Sequence, residues 1–294
     1  NVYFRRKSIL KTIHKIKPDI IRSYSPQIDG YLATHTGRRL GIPVVISVHG
    51  DRDRDNRHNM LVERKYGHYM LSKIHKVLFE VPSLKRTSHV IAVYEFAAEY
   101  AKRYTNSPVT IIYNKVDTDH FKPGKRGIDD PFTIINVGRM IPGKNQEILI
   151  SAMQHFEGKL ILVGDGVMFP KLKMLAETLG VGDKVKFITG IANDDLVKYY
   201  VSADVYATGI KLGGVAIPVL EAMACGLPVI QCPYQYKNRP ELIGGASLIV
   251  DCTPESFAEG FNKLMDDPVI LKKMSRIARQ KMVMHNSVIM EGLE

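Results

Sequence analysis

Short apolar runs alternate with amphipathic stretches along the whole chain, and this alternation is the strongest constraint on what the chain can fold into. Pro43–Val48, His89–Val93, Phe132–Val137, Leu160–Val163, Val185–Ile188, Val205–Ala207, Leu227–Ile230 and Ser247–Val250 are such runs. Each is brief and almost wholly apolar, as a strand buried on both faces must be. Asp19–Ser23 and Val109–Tyr113 read as further short strands. Between the runs lie helical stretches. In Ser8–Lys17 the apolar Ile9, Leu10, Ile13 and Ile16 share one helical face. Strands alternating with helices predict an α/β fold with parallel sheets, whose ligands sit at the carboxyl ends of the strands.

The chain has 294 residues, enough for two domains of ordinary size. Asn114 to Gly127 lacks periodicity and holds Pro123 and Gly124, so it is the candidate linker. The domains are therefore placed at 1–120 and 121–294. Charge divides at the same point. Residues 1–120 carry 21 Lys plus Arg against 11 Asp plus Glu; the remainder carries 20 against 19. A basic half suits an anionic membrane surface, a phosphorylated substrate or nucleic acid. Nucleic acid is disfavoured, because no reading motif appears and aromatics do not interleave with the charges. No apolar run approaches the roughly 18 residues of a membrane span. The stretch Met60–Leu84, rich in Lys and Arg, reads as an ordinary domain helix or a membrane-surface one. Three cysteines, Cys225, Cys232 and Cys252, form no C-x-x-C pair and have no His at ligand spacing. Buried thiols in a reducing, cytoplasmic setting are expected, and no zinc site.

Asp204–Ile230 reads as strand, glycine-rich loop, helix, strand. Gly209, Gly213 and Gly214 lie in the loop, Pro218 in the first turn of the helix, and Gly226 at its end. Such a loop brings backbone N–H groups and a helix N-terminus to one point, which suits a phosphate; it also serves simply to pack a helix close to a sheet. Glu221, one turn in, suits a ribose diol better than a phosphate. Arg139 and Lys144, after another strand end, can clamp a diphosphate or be ordinary surface charges. His49, after Val48, is either placed for chemistry or merely exposed. Asp51-Arg-Asp-Arg-Asp55 could hold a metal, but its arginines neutralise it, and Asn56 and Val62 stand where a calcium loop needs Gly and Glu. It reads as a solvated, self-paired loop. Gly164-Asp165-Gly166 has Phe169 where a dinucleotide fingerprint has its third glycine, which disfavours an NAD-dependent oxidoreductase.

In order along the chain, Lys17-Pro-Asp-Ile-Ile, Ile42-Pro-Val-Val with His49-Gly50, Val90-Ile-Ala-Val, and Ile112-Tyr-Asn with Val116-Asp-Thr-Asp-His-Phe-Lys-Pro form a recognisable set. Val137-Gly-Arg with Lys144, Val163-Gly-Asp-Gly, Ala203-Asp-Val and Glu221-Ala-Met-Ala-Cys-Gly-Leu-Pro-Val-Ile complete it. The chain resembles the retaining nucleotide-sugar glycosyltransferases of family 4, which have the GT-B fold of two Rossmann-like domains facing a cleft. Such enzymes open with a glycine-rich loop and further βα units. Two or three units of about 30 residues each are expected to be missing here, leaving the first domain incomplete; the last helix is expected to pack back on it.

The resemblance implies hexose transfer from a UDP- or GDP-sugar to a lipid-linked or polysaccharide acceptor, with anomeric retention, without a metal or other cofactor, at the cytoplasmic membrane face. It implies that Arg139 and Lys144, in the loop begun by Gly138, hold the diphosphate. Glu221 would take the ribose, the backbone of Gly214, Val215 and Ala216 the phosphates and sugar, and Ile191 the base. His49 would meet the donor sugar from the other domain. Three departures stand out. Gly213 replaces a glutamate that touches the donor sugar, Gly209-Ile210 replaces a Pro-Ser pair, and Lys115 replaces a turn glycine. They leave open a second reading, a catalytically impaired relative that binds nucleotide-sugar without transferring it.

Overall fold

The computed structural model describes residues 2–51, 53, 66–125, 127, 130–210, 216–233 and 243–291. The chain divides into two compact units, Asn1–Asn114 and Lys115–Glu294. Each is built on a parallel sheet.

The first unit holds strands β1 (Ile21–Ser23), β2 (Val44–Val48), β3 (His89–Ala92) and β4 (Val109–Ile111), paired in that order. Helix Ile28–Leu40 joins β1 to β2 and stops at Gly41, whose φ of 70° is left-handed. Val44, Ile46 and Val48 point inward from β2 and pack against Val90, Ala92 and Leu84. Between β2 and β3, helix Tyr66–His75 continues through a π-helical turn, Lys76–Glu80, into Val81–Arg86. The part of the Met60–Leu84 stretch before Tyr66 lies outside the described residues.

In the second unit the strands are β5 (Thr133–Val137), β6 (Lys159–Val163), β7 (Val185–Ile188), β8 (Val205–Thr208), β9 (Val229–Gln231) and β10 (Ser247–Ile249). Their spatial order is β10-β9-β8-β5-β6-β7. The chain runs outward from β5 to β7, returns to β8 on the other flank of β5, and continues outward to β10. Side chains alternate between two cores, as a pleated strand with both faces covered requires. Ile134 joins one core and Ile135 the other; Val205 and Ala207 join the first and Tyr206 the second. Residues 115–121 belong to this unit, with Val116 and Phe121 buried in its second core. The last helix, Pro268–Glu291, closes over them. Arg279 Nη1 donates to the carbonyls of Thr118 and Phe121 at 3.0 Å and of Ala224 at 2.9 Å.

Three expectations need correction. Cys232 and Cys252 form a disulfide, so only Cys225 is a free buried thiol. The two lie just beyond the ends of neighbouring parallel strands, with Cα atoms 5.1 Å apart; a separation of 20 residues hid this. Asp51 is buried and ion-paired with Arg103 rather than solvated, and Asp53 meets Lys76, Arg103 and the Tyr104 hydroxyl. Lys115 does not need the glycine of its turn: among the described residues, the non-glycine positions with positive φ are Lys17 and Asn145.

Candidate functional site

In a doubly wound sheet the crevice opens where the strand order reverses. Here that point lies between β5 and β8, and the loops leaving their carboxyl ends are the two that carry the sequence motifs. After β5 come Gly138 and Arg139, then a 3-10 turn, Pro142–Lys144, and Asn145 in the left-handed region (φ 53°, ψ 41°). After β8 comes Gly209. Asn145 Nδ2 donates to the Gly209 carbonyl at 3.2 Å. A Cβ on Gly209 would come within 2.6 Å of the Asn145 carbonyl oxygen, so only glycine lets the loops approach this closely. Below them, Asn136 on β5 donates from Nδ2 to the Ala207 carbonyl at 2.7 Å, and Gln146 Nε2 donates to the Arg139 carbonyl at 3.2 Å.

The Gly164-Asp165-Gly166 turn after β6 supports this loop from the other side. The Met140 N–H donates to the Asp165 carbonyl at 2.7 Å. A Cβ on Gly164 would meet the Gly138 carbonyl oxygen at 2.1 Å, and one on Gly166 that of Met140 at 2.3 Å. These glycines serve close backbone packing, which accounts for the incomplete fingerprint.

The loop so braced presents two cations. Arg139 is exposed and Lys144 half-buried. Burial, reinforced by the nearby Arg139 charge, lowers the Lys144 pKa. Two positive charges held together this way favour an anion between them.

Helix Ile217–Ala224 follows, with Ala216 as an extended N-cap whose side chain makes no cap hydrogen bond, and a helix N-terminus carries the positive end of the helix dipole. Glu221 on this helix is buried and accepts a 2.7 Å hydrogen bond at Oε2 from the Tyr200 hydroxyl. Burial raises its pKa, against the pull of Tyr200 and the charge of His120. Burial and Glu221 also push the Cys225 thiol up to about 12, which leaves it protonated and unreactive. Ile191 stands after Gly190 at the carboxyl end of β7, on the same edge of the sheet and partly packed into the second core. Gly213, Gly214 and Val215 lie outside the described residues.

His49 belongs to the first unit, at the carboxyl end of β2. With Tyr24, Ser25, Gln27 and Gly50 it rims a cavity of about 350 Å³ whose walls include Glu80 and Tyr100. The Tyr100 hydroxyl donates to Glu80 Oε1 at 2.5 Å. Burial, and then the charge of Arg22, lower the His49 pKa, so the imidazole is neutral near pH 7. Asp51 and Asp53 are held by Arg103, Lys76 and Tyr104, and the described residues contain no His, Cys, Asp and Glu group able to hold a metal. Asn145, Gln146 and Tyr200 support the second-unit site without having been anticipated. Of the three, only Asn145 carried a local signal, since asparagine tolerates the left-handed region better than most residues.

Known proteins of two descriptions match the chain. Residues 117–281 match "Glycosyl transferases group 1" and residues 1–120 match "Glycosyltransferase Family 4". The GDP-mannose-dependent alpha-(1-6)-phosphatidylinositol monomannoside mannosyltransferase of Mycolicibacterium smegmatis is 30% identical over 175 residues, 52% of this chain and 46% of that protein. The sulfoquinovosyl transferase SQD2 of Arabidopsis thaliana is 28% identical over 244 residues, 76% of this chain and 44% of that one. The chain thus spans less than half the length of either relative. Among solved structures, Alr3699/HepE of Anabaena in complex with UDP superposes with a TM-score of 0.72 at 20% identity, covering 98% of this chain and 81% of that one. At that identity the likeness establishes the fold, two Rossmann-like units on parallel sheets.

Proposed function

The chain belongs to the glycosyl transferases of group 1, and from that premise we propose that it moves a hexose from a UDP- or GDP-sugar to a lipid-linked or polysaccharide acceptor with retention of anomeric configuration. The observation that carries this reading is the pairing of Arg139 with the half-buried, pKa-lowered Lys144 at the reversal point of the second sheet. The donor diphosphate relieves the repulsion between the two cations. They in turn stabilise the charge that grows on the departing nucleotide, so the reading invokes no metal. The Tyr200 bond fixes the Glu221 carboxylate, which accepts hydrogen bonds from the ribose hydroxyls. The resemblance assigns the backbone at Gly214, Val215 and Ala216 to the phosphates and sugar, and the backbone near Ile191 to the base. His49, neutral near pH 7, is assigned to a hydroxyl of the donor sugar.

Relatives that use GDP-mannose and a fold neighbour solved with UDP support the donor class. The basic first unit, and a relative named as a phosphatidylinositol monomannoside mannosyltransferase, support an anionic, membrane-side acceptor. None of the described helices is long and apolar enough to cross a membrane, and the membrane association we propose is peripheral. A cytoplasmic site would place the Cys232–Cys252 bridge in a reducing milieu, and mass analysis after thiol blocking tests that pairing.

Thermal unfolding with UDP, GDP, ADP and NAD tests the nucleotide site. One nucleoside diphosphate at 100 times its Kd should add about 2.7 kcal/mol of stability, and Glu221→Ala should abolish the rise. If no nucleotide raises the midpoint, the reading fails. Gly213, where the family carries a glutamate, favours a second reading, an impaired nucleotide-sugar binder. A large gain in turnover from Gly213→Glu would support it, and a loss would support an adapted active site.

A further inference from the structure

The Cys232–Cys252 bridge touches the candidate site at a contact that the nucleotide reading leaves unused. β9 ends at Gln231 and β10 at Ile249, so both cysteines lie at the carboxyl edge of the second sheet, where the loops after β5 and β8 also meet. Cys232 is fully buried in the core beneath that edge, and Cys252 is half-buried. Cys252 Sγ lies 4.0 Å from Asn145 Nδ2 and 3.9 Å from the Gly209 carbonyl oxygen. Those two groups are the hydrogen bond that ties the loop after β8 to the loop after β5, and Asn145 directly follows Lys144. Bridged, the sulfur can accept from Asn145 but has no proton to give, so the Gly209 carbonyl serves Asn145. Reduced, the Cys252 thiol becomes a donor within reach of that carbonyl and a rival for it. The two sulfurs must also part from bonded to van der Waals separation, and Cys252, at the rim, is the one with room to move. Both changes fall on the Asn145–Gly209 contact.

We propose that Cys232 and Cys252 form a reversible redox switch for the donor site, the bridged form binding nucleotide and the dithiol form binding it more weakly. The proposal rests on the transferase reading for the identity of the site it controls. Two further observations select a switch over a structural staple. In the cytoplasm proposed for this chain, bridges are as a rule transient or redox-sensing rather than permanent. The elements that the bridge joins are also tied without it. β9 pairs with β10, the Val250 N–H donates to the Gln231 carbonyl at 3.0 Å, and the Thr253 side chain caps the following helix by accepting from the Ser256 N–H. Breaking the bond therefore leaves the strand ends in place and releases the sulfur. The oxidant is glutathione disulfide. The Cys252 thiolate, the more accessible of the two, attacks one of its sulfurs and expels a glutathione thiolate. The Cys232 thiolate then attacks the Cys252 sulfur of the mixed disulfide and expels the second. The two cysteines give up two electrons and two protons, and one glutathione disulfide becomes two glutathiones. Cys225, a buried thiol kept protonated, takes no part.

The test is equilibrium binding of UDP and of GDP to the full chain in glutathione buffers poised from oxidising to reducing, with thiol alkylation and mass analysis to score the bridge. Reduction should raise the Kd of the nucleotide that binds about fivefold, the loss of one neutral hydrogen bond, while the unfolding midpoint stays above the assay temperature. By reciprocity the bound nucleotide should protect the bridge by the same factor, a shift of about 20 mV in its midpoint potential. Asn145→Gly keeps the left-handed backbone but deletes the contact. It should bind as weakly as the reduced protein and lose the redox dependence, although its bridge still cycles. Cys252→Ser should be fixed at the weaker affinity. The proposal is overturned if the two cysteines stay unbridged in the oxidising buffers, if affinity is equal in both states, or if Asn145→Gly keeps the full redox response. Equal affinity in both states leaves the transferase reading standing, whereas binding of neither nucleotide in either state defeats both.

Discussion

The two units place their candidate groups by opposite means. In the second, backbone does most of the work: Gly209, Gly164 and Gly166 let loops touch, and Asn145 and Gln146 bond to carbonyl oxygens. Among the described residues Arg139 and Lys144 make no ion pair, and burial, then the Arg139 charge, lowers the Lys144 pKa. In the first, charge is consumed internally. Asp51 is spent on Arg103, Asp53 on Lys76 and Tyr104, and Glu80 on Tyr100, and His49 stands at the rim of what they support. A site poised for an anion keeps its cations unsatisfied, whereas a scaffold pairs them. Ion pairs inside a unit are therefore poor guides to where its ligand binds.

The comparison breaks most sharply at the cation pair. Arg139→Ala or Lys144→Met should each lower kcat/KM about 100-fold or more, measured with the donor that the unfolding screen identifies, while the unfolding midpoint of Lys144→Met holds or rises. If either variant retains full turnover, the diphosphate binds elsewhere. On the scaffold side the effect should be one of stability. Asp51→Ala leaves Arg103 only its 3.4 Å pair with Asp53, and because Arg103 is partly exposed the cost should be about 1–2 kcal/mol rather than that of a fully buried pair, read by urea unfolding. A loss of activity without a loss of stability would move Asp51 from scaffold to site.

Smaller again is Tyr200→Phe, which removes one hydrogen bond to a buried carboxylate. Nucleotide affinity should fall about tenfold, and its acid limb should move to higher pH, because the Tyr200 bond is what holds the Glu221 pKa down against burial. An unmoved limb would mean that Glu221 does not meet the ligand. Smallest is the pH response of Lys144. Its folded pKa lies below the 10.5 of the free side chain, so between the two values the unfolded chain binds more protons and stability rises with pH; it is lost as pH falls through the folded value. Bound diphosphate should raise that pKa again, so donor binding on the alkaline side should take up protons. Calorimetry in buffers of different ionisation enthalpy reads this directly, and proton release instead would show that no anion lies beside Lys144.

The parallel sheets were legible because each buried strand announces itself as a short apolar run; Val185–Ile188 was placed to the residue. The positions of Arg139, Lys144 and Glu221 at strand and helix ends were legible for the same reason, since punctuation by Gly138, Gly143 and Gly226 marks those ends. What stayed hidden is whatever depends on neighbours distant in sequence. Tyr200 looks like any core tyrosine until β8 and its helix bring Glu221 beside it. Cys232 and Cys252 look like separate thiols until β9 and β10 pair. The outward apolar positions within residues 70–80 were hidden differently, for their pattern is visible in the sequence but which face turns inward is decided by Asp53 and Tyr104.

Arg279 has a consequence beyond holding a helix. It joins the carbonyls of Thr118 and Phe121, near the start of the second unit, to the final helix, and Ala224 behind Glu221 to both. The unit's beginning and end are thus neighbours, and topologically it is a ring cut at one arbitrary place. A polypeptide with those ends spliced together and reopened at the exposed Gly180 turn, on the amino edge of the sheet, would keep every loop at the opposite edge in its original order around the candidate site.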